Sequence, residues 1–367
     1  PYTEKRNHGV VVLLMLESAP FNMVETFARA MPSWDKFFLT PQGLDVLLVF
    51  PDNAAKDIEQ VAEKAIGLKP HAENDDLNRK LGSLKVWRYK DSEDFRIYTL
   101  RIPKISIPSY AKHQLAKTDG KVTCGGSGRG FSENYVTGNM WYINKMFDLK
   151  LLSCYKYFFK VDYDVFFLRP LALNLFQQME ERQAVFVHSG TAVQSPCGTD
   201  MDSAMAQFAK ENRQDFKTQH ISFRQYSKTT TYDYTLDFPH AGDMYEGNFV
   251  GGRITFWNSK KLLKLAGFLE NYPNGFYANR WTDQTYWHNA LALYLPNYNS
   301  KVLNIEAERT MTVSNEEELQ GSFFHAKTLD QQAMNLYCET VFGCSTEAAD
   351  EMRHQMTSAE AVMGIVK

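Results

Sequence analysis

Residues 155–170 read YKYFFKVDYDVFFLRP, an aromatic strand that runs into Asp162-Tyr163-Asp164. Phe158, Phe159, Phe166 and Phe167 flank the acidic pair, and charge beside so much apolar surface is costly unless something positive compensates it. Side chains two apart on a strand leave from the same face, so both carboxylates are expected to reach one ion. That ion is a divalent metal, or else Lys160 and Arg169 close a structural ion pair. The end of a buried strand favours the metal, because ligands gather at the carboxyl ends of strands in open α/β sheets.

Toward the amino terminus, residues 9–16 (GVVVLLML) are a continuous apolar run of the kind buried on both faces of a sheet, and 44–50 (LDVLLVF) read as a second strand. Val24, Phe27, Ala28 and Met31, then Ile58, Val61, Ala62 and Ala65, follow the spacing of amphipathic helices. Shorter strands are expected at 84–89 and 96–101. This rhythm predicts an α/β fold with a mostly parallel sheet covered on both faces. Residues 119–132 (DGKVTCGGSGRGFS) lack the apolar lead-in of a phosphate cradle and read as a loop or lid, with a helix following through Tyr135 and Trp141.

Toward the carboxyl terminus, a strand is expected at 184–187 and strand character at 248–257. Helices are expected around Leu262–Leu269, started by Asn258 or Ser259, and around Trp287–Tyr294 with Thr282 as N-cap. Residues 215–245 show no clear period. The tail after Lys327 is polar and helical in pattern, so 331–367 reads as a peripheral extension.

The chain of 367 residues carries a formal charge of −3, which offers no basic footprint for a phosphate backbone, so no nucleic-acid partner is expected. No apolar run reaches the ~18 residues of a membrane span. The five cysteines form no C-x-x-C, and the motifs of P-loop NTPases, dinucleotide oxidoreductases, zincins and α/β-hydrolases are absent.

Other residues are candidates for chemistry. His325 and Lys327 share parity in 321–327 (GSFFHAK); an imidazole beside two carboxylates suits Mn2+, with Mg2+ the alternative, and Lys327 can meet a phosphate. A half-buried core histidine is the other reading of His325. Asp283 and Gln284 open a helix, where the dipole alone favours an acid, yet they follow an aromatic stretch that looks pocket-lining. Asn248, Gly251 and Gly252 suggest close approach of backbone to a ligand, or a bulge.

These features together resemble the GT-A glycosyltransferases, glycogenin among them: an α/β start, an Asp-x-Asp after a mid-chain strand, and a late His with a nearby Lys. Asn248-Phe249, Phe256-Trp257-Asn258-Ser259, Gly275-Phe276-Tyr277, Arg280-Trp281-x-Asp283 and Leu295-Pro296 are similar to the fungal Golgi α-mannosyltransferases of mannoprotein glycans. Residues 157–165 (YFFKVDYDV) resemble that family's Tyr-Tyr-Trp-Arg-Val-Glu-Pro-Asp-Val, and 242–252 are similar to the blood-group-type transferases.

The resemblance implies one GT-A catalytic domain over 1–330, with a nucleotide-binding half to about 170 and a donor-sugar and acceptor half beyond. It implies metal-dependent transfer, with retention, of a sugar from a UDP- or GDP-sugar donor to a hydroxyl of a glycan or glycoprotein. Asp162, Asp164 and His325 would hold the metal. Glu17, Ser18, Asp162, Tyr163, Gly251, Gly252 and Lys327 would bind the donor. Asp283, Gln284 and Asn248 would act at the reacting centre, and Tyr232, Tyr245 and Trp281 would offer aromatic platforms to the acceptor. Such an enzyme is expected in the Golgi or secretory lumen, held to the membrane only through an anchor not in this chain, with the cytoplasm as the alternative. The sequence departs from its relatives at two places: Val250 stands where the mannosyltransferases carry a glutamate, and Gln284 where the blood-group-type enzymes do. A metal-dependent phosphoesterase and a non-catalytic carbohydrate-binding protein are the competing readings.

Overall fold

The computed structural model describes residues 8–15, 20–52, 58–71, 84–90, 92–109, 121–123, 130–193, 199–212, 221–225, 232–236, 243–273, 275–277, 281–295, 298–306, 322–325 and 341. Its strands are β1 (Gly9–Leu14), β2 (Leu44–Pro51), β3 (Leu68–Pro70), β4 (Leu84–Tyr89), β5 (Ile97–Ile102), β6 (Lys121–Thr123), β7 (Gly130–Ser132) and β8 (Tyr157–Val161). There follow β9 (Val165–Phe167), β10 (Phe186–His188), β11 (Thr191–Val193), β12 (Ile221–Gln225), β13 (Tyr232–Leu236), β14 (Asp243–Tyr245), β15 (Phe249–Arg253), β16 (Val302–Asn304) and β17 (Phe323–His325).

Nine of them form one sheet in the order β16-β10-β15-β8-β1-β2-β5-β4-β3. All run one way except β4 and β15, so the expected mostly parallel α/β sheet is what the chain builds. The continuous apolar run of β1 has the reason given by its environment. Val10, Val12 and Leu14 enter one core layer, whereas Val11, Leu13 and Met15 enter the other. Strand alternation therefore demands an apolar residue at every position.

The first layer packs the helices Glu133–Ile143, Thr199–Glu211, Lys260–Glu270 and Asp283–Tyr294 against the sheet. The second packs Pro20–Trp34, Ile58–Ile66 and Leu175–Glu181, with Trp34 at its centre, edge-on to Phe27, Phe38 and Phe167. Such T-shaped pairs suit the aromatic quadrupole.

Three local expectations are corrected. Residues 215–245 are not irregular throughout: β12 and β13 form an antiparallel hairpin, and β14 pairs with β11. The ends of the glycine-rich stretch likewise pair as β6 and β7, leading directly into the Glu133–Ile143 helix. Strand character over 248–257 stops at Arg253, and Ile254–Trp257 is a helical turn. Among the described residues no helix is long and apolar enough to cross a membrane. Of the carboxyl-terminal extension only Val341 is described, packed against the second core layer.

Candidate active site

The order of the sheet places a crevice. From β1 the chain extends the sheet on one side through β2 and returns to lay β8 on the other, which makes the β1–β8 boundary the topological switch point where ligands bind at carboxyl ends. Here β1 and β8 pair only over Gly9–Val11 and Tyr157–Phe159. Tyr142, from the Glu133–Ile143 helix, enters beside β1, and its hydroxyl accepts a hydrogen bond from the Leu14 amide at 2.9 Å. Desolvation raises the Tyr142 pKa well above the usual tyrosine value, so the hydroxyl stays protonated.

The acidic pair lies at the mouth of this crevice. β8 ends at Val161, and residues 162–165 form a tight turn closed by the Val165 amide donating to the Asp162 carbonyl at 3.1 Å. The expectation that strand alternation aligns the two carboxylates is therefore corrected, since Asp162 and Asp164 belong to a turn and not to a strand. The Asp162 amide donates to the Asn248 carbonyl at 2.8 Å, and on the far side the Trp34 indole donates to the Val165 carbonyl at 2.7 Å. Asp164 is buried and Tyr163 half-buried.

β17 pairs antiparallel with β9 in the register His325–Val165, so the His325 backbone stands opposite the residue that follows Asp164. The fold thus brings the late histidine to the acidic turn. The His325 side chain lies outside the described residues, as do Glu17, Ser18 and Lys327 entirely and the side chain of Tyr232 on β13. Among the described residues no cluster of three or more His, Cys, Asp or Glu forms a metal site. The oxygen donors of the acidic turn, at the carboxyl end of a central strand, do fit a hard divalent cation such as Mn2+ or Mg2+.

Lys160 joins this turn to the start of the Asp283–Tyr294 helix. Its ammonium donates to the Gly247 carbonyl at 2.8 Å and lies 3.4 Å from both Asp162 Oδ1 and Asp283 Oδ2. The ion-pair reading of Lys160 is thereby realised for Asp162, and it extends to an acid far along the chain. Burial works to lower the Lys160 pKa, but Asp162 and Asp283 overcome it and hold the ammonium charged. Burial raises the pKa of Asp283 above the usual carboxylate value, while Lys160 opposes that shift.

Thr282 caps the helix, its hydroxyl accepting from the Thr285 amide at 3.3 Å, and Asp283 Oδ1 accepts from the Gln284 amide at 3.0 Å. Gln284 lies over Gly247, where an added Cβ would meet its Nε2 at 2.6 Å. Asn248 is fixed by Ser189, whose hydroxyl donates to its Oδ1 at 2.8 Å. Asp162, Asn248, Asp283 and Gln284 therefore share one neighbourhood.

Four other candidates lie among packed side chains. A Cβ on Gly251 would lie 2.5 Å from the Phe159 ring, and one on Gly252 would lie 2.4 Å from the Trp257 indole. They are glycines because β15 passes between two packed layers. Tyr245 and Trp281 are core residues. Tyr245 is stacked on His188 at 4.3 Å between centroids, and Trp281 is fully buried against Phe276 and Tyr272.

Sequence reading missed Tyr142, Ser189 and Gly247. Nothing in their local pattern signals the site, because each arrives through packing between distant segments. Lys160 did carry a signal, a charge within an otherwise apolar strand.

The sequence matches no protein-family model and no curated protein sequence, whereas the fold matches solved glycosyltransferases. Core-mannan synthase A (CmsA/Ktr4) from Aspergillus fumigatus, in a Mn/GDP form, aligns with a TM-score of 0.56 at 13% identity, covering 82% of this chain and 73% of that one. The mannosyltransferase Ktr4p from S. cerevisiae aligns with a TM-score of 0.54 at 15% identity, covering 81% and 68%. The same enzyme in complex with GDP gives 0.52 at 16% identity, over 78% and 67%. The chain therefore has the GT-A fold of these fungal mannosyltransferases.

Proposed function

We propose that the protein is a glycosyltransferase that moves a sugar from a nucleoside-diphosphate donor to a hydroxyl of a glycan or glycoprotein. The observation that carries this reading is the convergence of the Asp162–Asp164 turn, the His325 strand position and the start of the Asp283–Tyr294 helix at the switch-point crevice. The likeness to mannosyltransferases solved with GDP and Mn supports a GDP-sugar over a UDP-sugar.

Asp162 and Asp164, with His325, would hold Mn2+ or Mg2+, and Lys327 would meet a phosphate. When bound, the metal supplies Lewis-acid neutralisation of the departing diphosphate. Asp283 is the buried carboxylate of the crevice and would accept a hydrogen bond from the donor sugar; Gln284 and Asn248 would orient it. Val250 is fully buried in β15 and Gln284 is an amide, so neither offers the carboxylate a double displacement needs. Retention would then proceed on a single face of the sugar, with the enzyme stabilising developing charge rather than forming a covalent intermediate. A Golgi or secretory-lumen location belongs to the same proposal.

The test is incubation with a panel of GDP- and UDP-sugars, Mn2+ and mannoside acceptors, following nucleotide release and product. Release coupled to glycoside formation is expected. Phosphate release without an acceptor would point to a phosphoesterase, and glycan binding without nucleotide turnover to a lectin-like protein.

A further inference from the structure

Resting on that reading, we propose that Lys160 is the positioning residue that sets the Asp283 carboxylate in the crevice. β8 alternates so that Phe158 and Lys160 face the same helical layer, where most inward side chains of the central strands are apolar. A lysine there must place three N–H donors among fixed acceptors. The structure supplies two, the Gly247 carbonyl before β15 and Asp162 after β8, and sets Asp283 Oδ2 at the helix start in ion-pair range at 3.4 Å. The Tyr142 ring adds a fourth contact, with the ammonium 5.2 Å from its centroid.

Across the β8–β15 ladder Lys160 stands opposite Val250, an apolar neighbour that offers the ammonium no competing charge. Asp283 Oδ1 is engaged by the Gln284 amide, which leaves Oδ2 facing Lys160. The carboxylate is almost wholly buried, with 2% side-chain exposure, so its rotamer depends on these two partners and not on water. Lys160 thereby couples the acidic turn to the helix that carries Asp283. It acts through Asp283 and is not itself a group that meets the sugar.

The experiment compares the full chain with K160M, K160R, D283N and K160M/D283N. Initial rates with the GDP- and UDP-sugar panel give kcat and KM, calorimetry gives the affinity for GDP and UDP with Mn2+, and melting reports folding. K160M is expected to lower kcat by about tenfold or more while nucleotide affinity stays within about threefold, and K160R to recover most of the loss. K160M/D283N is expected to be no slower than D283N, because a residue acting through Asp283 adds nothing once that carboxylate is gone. Should K160M alone fail to fold, the double variant, which leaves no buried carboxylate without its cation, carries the comparison.

Wild-type kcat in K160M, multiplied losses in the double variant, or a loss of nucleotide affinity equal to the loss of kcat would each overturn the proposal. The last would place Lys160 on the diphosphate. A wild-type chain that releases nucleotide from no donor overturns the transferase reading beneath it, an outcome distinct from losses confined to variants.

Discussion

His325 stands opposite Val165 across the β9–β17 ladder, which seats a residue from the far end of the catalytic region against the turn that carries Asp162 and Asp164. Two short strands make this join, and β9 is anchored from behind by Trp34 and by Ser33, whose hydroxyl accepts from the Phe167 amide at 3.2 Å. The acidic turn is therefore held by the second core layer, while the Asp162 carboxylate meets Lys160.

Asp164→Ala should reduce donor turnover by about a hundredfold or more, with the melting temperature lowered by only a few degrees. EDTA should abolish turnover in the wild type and Mn2+ restore it. Full activity in either condition would remove the metal from the mechanism.

His325→Ala should raise the Mn2+ concentration needed for half-maximal rate by about tenfold or more, because even the partners that orient a ligand cost about 10–100-fold in metal affinity and a direct ligand should cost no less. The backbone pairing with β9 does not depend on the imidazole, so folding should persist. An unchanged metal titration would take His325 out of the site.

Gly252→Ala should destabilise the fold by about 1–3 kcal/mol or more, since the new methyl meets the Trp257 indole at 2.4 Å and the Val185 carbonyl at 2.9 Å. Urea unfolding measures this. A variant of wild-type stability that instead loses nucleotide binding would return the glycine to the donor pocket.

Trp281→Ala should cost about 3–5 kcal/mol as a core truncation. The residual folded enzyme should keep its acceptor KM. A stable variant with a raised acceptor KM would support the platform role.

Stability should fall on acidification through the titration of His188. Burial lowers its pKa from the usual value near 6.5 to about 4, with the neighbouring His288 adding to the shift. The unfolded chain thus binds the proton more readily between those values, so stability rises with pH across the window and is lost as pH falls from about 6.5 to 4. The full effect is about 3 kcal/mol. His188→Gln should flatten the pH dependence of the urea midpoint in that window, and an unaltered slope would exclude His188 as its source.

Much of the architecture was legible in sequence because its signal is local. The run at β1 is apolar throughout and that at β2 nearly so since both faces are covered, and the Thr282 cap is specified by the residues next to it. The β12–β13 hairpin was not legible, as its polar, Tyr- and Thr-rich sequence shows no clear period. Gly251 and Gly252 were ambiguous for a related reason: a glycine is equally at home beside a ligand and beside an indole, and only the tertiary neighbours show what each packs against.

The sequence by itself determined the sheet's central strands, the helices that cover them and the presence of an acidic pair at the end of β8, because hydrophobic periodicity and capping act over a few residues. Tertiary structure alone decided that His325 reaches the acidic turn, that Lys160 spans Asp162 and Asp283, and that Tyr245 and Trp281 lie inside. These are pairings between segments far apart in the chain, set by strand register and helix docking, and no short window of residues encodes them.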